Sequence, residues 1–226
     1  MKKSDAEMSE TINMEQHTLH GTTTLSLVCK DGVVIAADKR ATAGNMIVNK
    51  RTDKLVQIAE TMVLSMAGTV SDAQLLIKLI KAELNLKRIQ TGRKPTVKEA
   101  ANLLSGLVYG NIRKMSLIPG ISHFILAGSD ATGFYVYDIF PDGSLTEEDE
   151  YVSSGSGSVF ALGVLETLYE PNINVQQGTD LAVKALSAAL KRDSASGNGI
   201  DVITITKDGV KQVVKEILNN EIKVKK

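Results

Sequence analysis

Hydroxyl side chains and a few charges, rather than histidines or cysteines, are the groups in this sequence that could do chemistry. Among 226 residues there are 3 histidines and 1 cysteine. His17 and His20 lie in a polar leader without accompanying metal ligands, and His123 opens a strand, where a structural role is the simpler interpretation. Cys29 falls on the apolar face of a strand, as a small core residue does. The sequence therefore predicts no metal site, and a nucleophile must take its base from elsewhere.

Three segments carry candidate groups. Gly21-Thr22-Thr23-Thr24 stands between the polar leader and the first strand, Asp38 ends an apolar strand, and Asp193-Ser194-Ala195-Ser196-Gly197 follows a helix. Each has an ordinary structural interpretation: a threonine-rich strand start, a charge that needs a partner if buried, and a C-capping loop. Taken together, the three fit a single mechanism.

Cleavage after Gly21 would make Thr22 the N-terminal residue. Its hydroxyl would then be the nucleophile and its own α-amine the base, a known activated pair. The reference pKa of an α-amine, roughly 7.7–8.0, suits proton transfer near neutral pH. Such a site needs a cation that keeps the amine neutral and a carboxylate that orients the cation. Lys54 and Asp38 can supply these two charges.

The loop length of the hairpin that joins Thr22 to Asp38 decides whether the two side chains share a face of the sheet. A two-residue loop at 31–32 would put the two side chains on opposite faces. A three-residue loop at 30–32 pairs residue 29 with residue 33, which places Asp38 opposite Thr24 and diagonal to Thr22, roughly 7–8 Å away. The mechanism therefore predicts the three-residue loop.

The elements that would position these residues alternate in blocks. Hydrophobic periodicity predicts four strands, two helices, three strands, two helices and two strands. Capping-box patterns at 71–74, 96–99 and 174–177 open three of the helices. Blocks of hairpin-linked strands and paired helices indicate an α+β fold rather than βαβ alternation. We expect one domain in which two antiparallel sheets face each other, with a helix pair on each outer face.

Composition and charge exclude several functions. Lys+Arg and Asp+Glu both number 26, so there is no basic excess for a nucleic acid. The glycines at 155 and 157 precede a helix, but Phe160 stands where a dinucleotide fingerprint needs its third glycine. No apolar run reaches the roughly 18 residues of a membrane span, and the leader lacks an apolar signal core. The sequence predicts a cytoplasmic protein without a cofactor.

Seven ordered motifs resemble those of 20S proteasome β subunits of the archaeal kind. The resemblance covers residues 22–218. The motifs are GTTT at 21–24, AADKR at 36–40, TDK at 52–54, MAG at 66–68, SDAQ at 71–74, SGSGS at 154–158 and RDSASGNG at 192–199. The resemblance implies the four-layer αββα sandwich of the N-terminal-nucleophile (Ntn) hydrolases, which agrees with the predicted element order.

The resemblance also implies roles for individual residues. The implied catalytic group consists of Thr22, Asp38, Lys54, Ser156, Asp193 and Ser196. The backbone N–H of Gly68 would bind the oxyanion, and Thr42 would hold the substrate backbone as an added strand. The implied side-chain pocket is lined by Ala41, Thr52, Met66 and Val70. Its apolar lining indicates cleavage after hydrophobic residues.

Processing and assembly follow from the same resemblance. Residues 1–21 would be a propeptide removed by the chain itself at Gly21–Thr22, leaving residues 22–226 as a single catalytic domain. Implied partners are other β subunits in two stacked seven-membered rings, α-subunit rings, a regulatory ATPase and polypeptide substrates. Two other hypotheses stay open at this point: a non-catalytic structural β subunit of the same particle, and a standalone Ntn amidase.

Overall fold

A computed structural model describes residues 21–117 and 119–218. The strands, β1 to β12 in chain order, are Thr24–Cys29, Gly32–Asp38, Ala41–Ala43, Met46–Asn49, Leu55–Ala59, Met62–Gly68, Ser122–Asp130, Gly133–Ile139, Leu145–Glu148, Tyr151–Ser154, Gly199–Thr206 and Gly209–Ile217. The helices, α1 to α4, are Val70–Thr91, Val97–Ile112, Ser158–Leu168 and Val175–Arg192. The predicted leader, apart from Gly21, lies outside the described residues.

Two five-stranded antiparallel sheets form the centre of the molecule. The first has the order β10-β1-β2-β11-β12, and the second has the order β5-β6-β7-β8-β9. Apolar side chains such as Ile35 and Ile125 fill the space between the sheets. Helices α3 and α4 pack on the outer face of the first sheet, and α1 and α2 pack on the outer face of the second. This is the predicted αββα sandwich, and the predicted fold class is confirmed.

Strand alternation produces these layers. In β2, Val33 and Ile35 point between the sheets, while Val34 and Ala36 point toward α3 and α4. A strand buried on both faces reads as a continuous apolar run, as residues 33–37 do. The same alternation of faces holds for the polar residues at the strand ends. Each polar side chain therefore enters the layer that its position in the strand sets.

Two of the three predicted capping boxes are present. Thr96 with Glu99 opens α2, and Asn174 with Gln177 opens α4; in each pair both reciprocal hydrogen bonds are made. The box predicted at 71–74 is wrong. Helix α1 begins earlier, with Thr69 as its N-cap and no side-chain cap bond. Its start is instead fixed by the backbone, because the Thr69 N–H donates to the Ile121 carbonyl at 2.8 Å.

The predicted hairpin loop is also wrong. Cys29 pairs with Gly32, so the loop between β1 and β2 has two residues, 30–31, rather than either of the loops considered from sequence. Gly32 belongs to the sheet, where a Cβ would lie 2.4 Å from the Ile205 carbonyl oxygen of β11. As a result, Asp38 adjoins Thr23 rather than Thr24, and its N–H donates to the Thr23 carbonyl at 3.0 Å.

The element order differs from the prediction at two places. The short hairpin β3–β4 was not predicted, because its strands have three and four residues and β4 is fully exposed. The single strand predicted before residue 152 is two strands, β9 and β10, which belong to different sheets. Within residues 21–117 and 119–218 no helix is long and apolar enough to cross a membrane. The same ranges hold no group of three or more potential metal ligands.

Candidate active site

Thr22 lies at the entrance to β1 and is 5% exposed. The preceding Gly21 is held by the Thr42 hydroxyl, which accepts its N–H at 2.9 Å. A Cβ on Gly21 would lie 1.8 Å from the Cβ of Ala195, so only glycine fits there. The Gly21–Thr22 peptide bond therefore has a fixed position against β3 and the loop after α4.

Beside Thr22 lies a buried ion pair between Lys54 and Asp38, with 2.5 Å between Lys54 Nζ and Asp38 Oδ1. The Asp38 carboxylate also accepts the backbone N–H groups of Thr23, Arg40 and Gly197, each at 2.9 Å. Burial lowers the pKa of Lys54 below its ordinary value, although the Asp38 charge acts in the opposite direction. The lysine is thus a cation that burial makes easy to deprotonate.

Lys54 reaches this place from the second sheet. It directly precedes β5, and the Lys54 carbonyl accepts the Met66 N–H of β6 at 3.1 Å. Asp38 ends β2 in the first sheet, so the ion pair joins the two sheets at one end of the sandwich. Thr22 and Lys54 line the same small cleft even though the predicted hairpin register is not formed. Because the Lys54 side chain reaches across from the second sheet to Asp38, the predicted hairpin register is not needed to bring Lys54 near Thr22.

A hydroxyl network surrounds the backbone of Thr22. The Thr22 N–H donates to Ser156 Oγ at 3.2 Å, and Ser156 Oγ donates to Asp193 Oδ2 at 2.7 Å. Ser196 Oγ donates to the same carboxylate oxygen at 2.6 Å and lies 2.6 Å from Thr23 Oγ1. In the loop after α4, Asp193 thus reaches the Thr22 nitrogen through Ser156, and Ser196 contacts the neighbouring Thr23.

Close backbone approach explains the glycines of the 154–158 motif. Gly155 has φ +95°, and a Cβ there would lie 2.1 Å from the Thr22 carbonyl oxygen. A Cβ on Gly157 would lie 2.1 Å from Thr23 Oγ1. The motif considered as a phosphate loop is a turn that wraps closely around Thr22.

The cleft at Thr22 has a volume of about 20 Å³. Its lining includes the predicted pocket residues Ala41, Thr52, Met66 and Val70, together with Gly68. Gly68 has φ +97°, and a Cβ there would lie 2.2 Å from the Ile121 carbonyl oxygen, so the position requires glycine. Of the predicted catalytic group, Thr22 and Lys54 line this cleft together with the oxyanion and pocket residues. Asp38 lies behind Lys54, and the three residues of the hydroxyl network lie beside the Thr22 backbone.

Comparison with known proteins decides the family. A family model described as "Proteasome subunit" matches residues 18–205. The chain belongs to the proteasome subunit family.

The similar curated proteins identify the subunit type within the proteasome. "Proteasome subunit beta" of Archaeoglobus fulgidus is 47% identical over 86% of this chain and 90% of its own length. The protein of the same name from Methanococcus maripaludis strain C5 is 43% identical over 88% of this chain and 90% of its own length. The protein of the same name from Methanocaldococcus vulcanius is 38% identical over 92% of this chain and 95% of its own length. The resemblance to archaeal proteasome β subunits is confirmed, and such a subunit assembles with other proteasome subunits.

Lys39 is a buried residue of this proteasome β subunit that sequence reasoning did not assign to the site. Its ammonium forms ion pairs with Asp201 and, at 3.2 Å, with Asp53, and its carbonyl accepts the Thr52 N–H at 3.0 Å. Burial alone would lower the pKa of Lys39, but the hydrogen bonds and charges of the two carboxylates outweigh it and raise the pKa. Lys39 therefore fixes the segment that carries Thr52 and Lys54. Two consecutive basic residues after an apolar strand, Lys39 and Arg40, were the available signal.

Proposed function

We propose that this chain is a catalytic subunit of the 20S proteasome core, a threonine-type endopeptidase whose nucleophile is Thr22 after residues 1–21 are removed. The observation that carries the proposal is the position of Thr22. Its nitrogen contacts the Ser156–Asp193 pair, and its side borders the cleft with Lys54. A structural subunit would not need a buried lysine–aspartate pair at this end of the sandwich, since a buried ion pair is weak evidence for stability.

In the mature chain the free α-amine of Thr22 takes the hydroxyl proton as Oγ1 attacks the substrate carbonyl. The Gly68 N–H stabilises the oxyanion. The protonated amine then gives its proton to the leaving amine, and an acyl ester forms on Oγ1 as the peptide C–N bond breaks. Water, deprotonated by the same amine, hydrolyses the ester and regenerates the hydroxyl.

The surrounding charges tune this amine. The Lys54 cation disfavours a second positive charge on the amine, so it keeps the amine neutral and able to accept a proton. Asp38 holds Lys54 in place through the 2.5 Å contact. Ser156, Asp193 and Ser196 orient the amine and supply hydrogen-bond partners for both of its protonation states.

Removal of the leader uses the same nucleophile. The Thr22 hydroxyl attacks the Gly21 carbonyl, and the Gly21–Thr22 C–N bond breaks as the hydroxyl proton passes to the departing Thr22 nitrogen. Water then hydrolyses the ester on Oγ1, which releases residues 1–21 and restores the hydroxyl. Before cleavage the Thr22 nitrogen is an amide and cannot act as the base. Proteolysis is therefore off until the bond is cut.

The Gly21 contact supports an extended substrate. The Gly21 N–H donates to the Thr42 hydroxyl in β3, and among the described strands β3 pairs with β4 alone. In this proposal the substrate adds as a strand along β3, in the place that Gly21 takes. An unfolded polypeptide presents such a backbone. The apolar lining by Ala41, Met66 and Val70 favours a hydrophobic side chain just before the cleaved bond.

We propose for the assembly the arrangement that the family implies: two stacked seven-membered β rings between α rings, fed by a regulatory ATPase, in the cytoplasm. Residues 1–21 act as the propeptide, and residues 22–226 form one catalytic domain.

Substitution of Thr22 tests the proposed nucleophile. In the particle assembled with its α subunit, Thr22→Ala abolishes hydrolysis of a fluorogenic peptide with leucine before the scissile bond, while Thr22→Ser retains part of it. Thr91→Ala, which removes an exposed hydroxyl at the end of α1, is the matched control and keeps wild-type activity. Hydrolysis by the Thr22→Ala particle at the wild-type rate would refute the assignment.

A further inference from the structure

A hydrogen-bonded chain of three side chains connects the two sheets beside the cleft. Ser154 Oγ lies 2.7 Å from His123 Nδ1, and His123 Nε2 lies 2.6 Å from Asp138 Oδ1. Ser154 ends β10 in the first sheet, whereas His123 and Asp138 belong to β7 and β8 of the second. The mechanism proposed above does not use these residues.

This serine, histidine and aspartate do not form a second catalytic triad. Ser154 and Asp138 are each 3% exposed. The Ser154 hydroxyl is directed between the sheets, on the same layer as the apolar side chains of Ile125 and Val136. A substrate carbonyl cannot reach a hydroxyl in that layer, so the chain of bonds must act on the protein itself.

His123 has a fixed orientation. The Asp138 carboxylate can only accept, so His123 Nε2 carries a proton toward it, and in the neutral ring Nδ1 then accepts the Ser154 hydroxyl. The ring of His123 also stacks on Phe140, with 4.8 Å between ring centroids. Two hydrogen bonds and a stacked ring leave the imidazole little freedom, which makes it a firm anchor for Ser154.

Ser154 directly precedes the turn around Thr22. Gly155 follows it and lies against the Thr22 carbonyl, and Ser156 accepts the Thr22 N–H. The strand that leads into this turn, β10, is the edge strand of the first sheet, where its neighbour is β1. The His123 bond ties that edge to the second sheet at the residue directly before the turn.

We propose that His123, oriented by Asp138, is a positioning residue for the reaction: it holds Ser154, and through Ser154 the turn that sets Ser156 against the Thr22 nitrogen. This inference rests on the proposed function of Thr22. Small displacements of groups around a nucleophile reduce the rate of the chemical step strongly. The pocket is lined by other residues, so substrate binding stays the same while turnover falls.

The test compares His123→Leu with His123→Gln in the assembled particle. Active sites are counted with a peptide that carries a threonine-reactive electrophile, and kcat is expressed per counted site. His123→Leu lowers kcat by about ten- to a hundredfold, with KM within about twofold of wild type. His123→Gln, which can still donate and accept, recovers part of the loss. Wild-type kcat per site in His123→Leu, or an equal loss in both variants, would overturn the proposal.

Two further variants keep the test decisive. If His123→Leu does not assemble, Ser154→Ala removes only the last bond of the chain and lowers kcat by about tenfold; unchanged kcat per site in that variant contradicts the proposal. Tyr137→Phe, which removes a buried hydroxyl bonded to Glu147 in the same sheet, is the control and keeps kcat per site. Thr22→Ala is measured alongside. Peptide hydrolysis by the Thr22→Ala particle would refute the proposed function of Thr22. If Thr22→Ala is inactive but His123→Leu is fully active, only the proposed role of His123 is refuted.

Discussion

The ammonium of Lys54 lies 2.5 Å from the carboxylate of Asp38, and the side chains of both residues are almost completely buried. Lys54 belongs to the second sheet and Asp38 to the first, so the pair forms only when the sandwich has closed. The completed site is therefore a product of the whole fold, and a partly folded chain lacks the cation that activates Thr22.

Lys54→Met removes the charge of Lys54 and keeps a side chain of similar size, so it tests the electrostatic role of the lysine. Lys54→Met leaves Asp38 buried and unpaired, which costs about 3–5 kcal/mol of unfolding free energy. It also removes the charge that keeps the Thr22 amine neutral. Peptide hydrolysis per assembled particle falls by at least about a hundredfold, the lower end of the range for loss of acid–base function. Lys94→Met, which breaks an exposed pair with Glu60, keeps activity near wild type. Equal activity in the two variants contradicts the account.

The pH dependence of kcat/KM reports the two amines of the site. On the acid side, activity rises as the Thr22 amine loses its proton, with a pKa below the reference of roughly 7.7–8.0 because Lys54 is nearby. On the alkaline side, activity falls as Lys54 loses its proton, at a lower pH than for an ordinary lysine because burial lowers the pKa of Lys54.

Lys54→Arg identifies the alkaline limb. A guanidinium stays charged throughout a scan from about pH 6 to pH 10, so the variant loses that limb and retains the acid limb. An alkaline limb that is unchanged in Lys54→Arg shows that another group titrates there.

The two threonines of the cleft have different hydrogen-bond partners, and their valine variants should differ accordingly. Thr42 Oγ1 accepts the Gly21 N–H, whereas Thr52 Oγ1 is buried without a hydrogen-bond partner among the described residues. Thr42→Val removes a bond to the extended backbone and raises the KM for peptides about three- to tenfold, the worth of one hydrogen bond. Thr52→Val removes only an unsatisfied hydroxyl, so the same peptide kinetics show an unchanged or lower KM. A raised KM in Thr52→Val and an unchanged one in Thr42→Val would reverse these assignments.

Acid stability depends on Glu99 at the start of α2. The Arg93 guanidinium, the Thr96 N–H and Lys87 hold the pKa of the Glu99 carboxyl far below its ordinary value. A depressed pKa in the folded state stabilises above the unfolded pKa of roughly 4.3, and that contribution is lost as pH falls toward the folded pKa.

Glu99→Ala therefore destabilises the chain at neutral pH by about 1 kcal/mol, as loss of a helix cap does. Thermal unfolding as a function of pH shows the difference between wild type and variant shrinking below about pH 4. A difference that is constant from neutral to acid pH contradicts this assignment.

The type and approximate position of most helices and strands were predictable from local sequence patterns, whereas the pairing register of the strands was not. The capping boxes at Thr96 and Asn174 and the buried run at 33–37 are local signals, and each gave the right element. The hairpin loop failed because Gly32, a typical turn residue, is needed in the sheet where β11 approaches closely. Strands β9 and β10 were predicted as a single strand, because the break between them depends on which sheet each one joins. That choice is a property of tertiary packing.

The proximity of the candidate site residues followed from chemical reasoning, whereas their roles stay predictions. Thr22, Asp38 and Lys54 were chosen by the chemistry that an N-terminal threonine needs, and the lysine reaches its partner in spite of the wrong register. His123 was interpreted as structural because it opens a strand. Its partners, Ser154 and Asp138, are distant in sequence and meet it only when three strands of two sheets come together, so no local pattern indicated them. Lys39 was passed over because its carboxylate partner Asp201 comes from β11.

The most direct test of Thr22 as an N-terminal nucleophile is the intact mass of this chain in the assembled, active particle. If Thr22 is the nucleophile, this chain has 205 residues and begins at Thr22, from the 226 residues of the sequence less the 21 that precede it. The Thr22→Ala chain then keeps all 21 of those residues. An active particle whose chain still begins at Met1 would contradict the account.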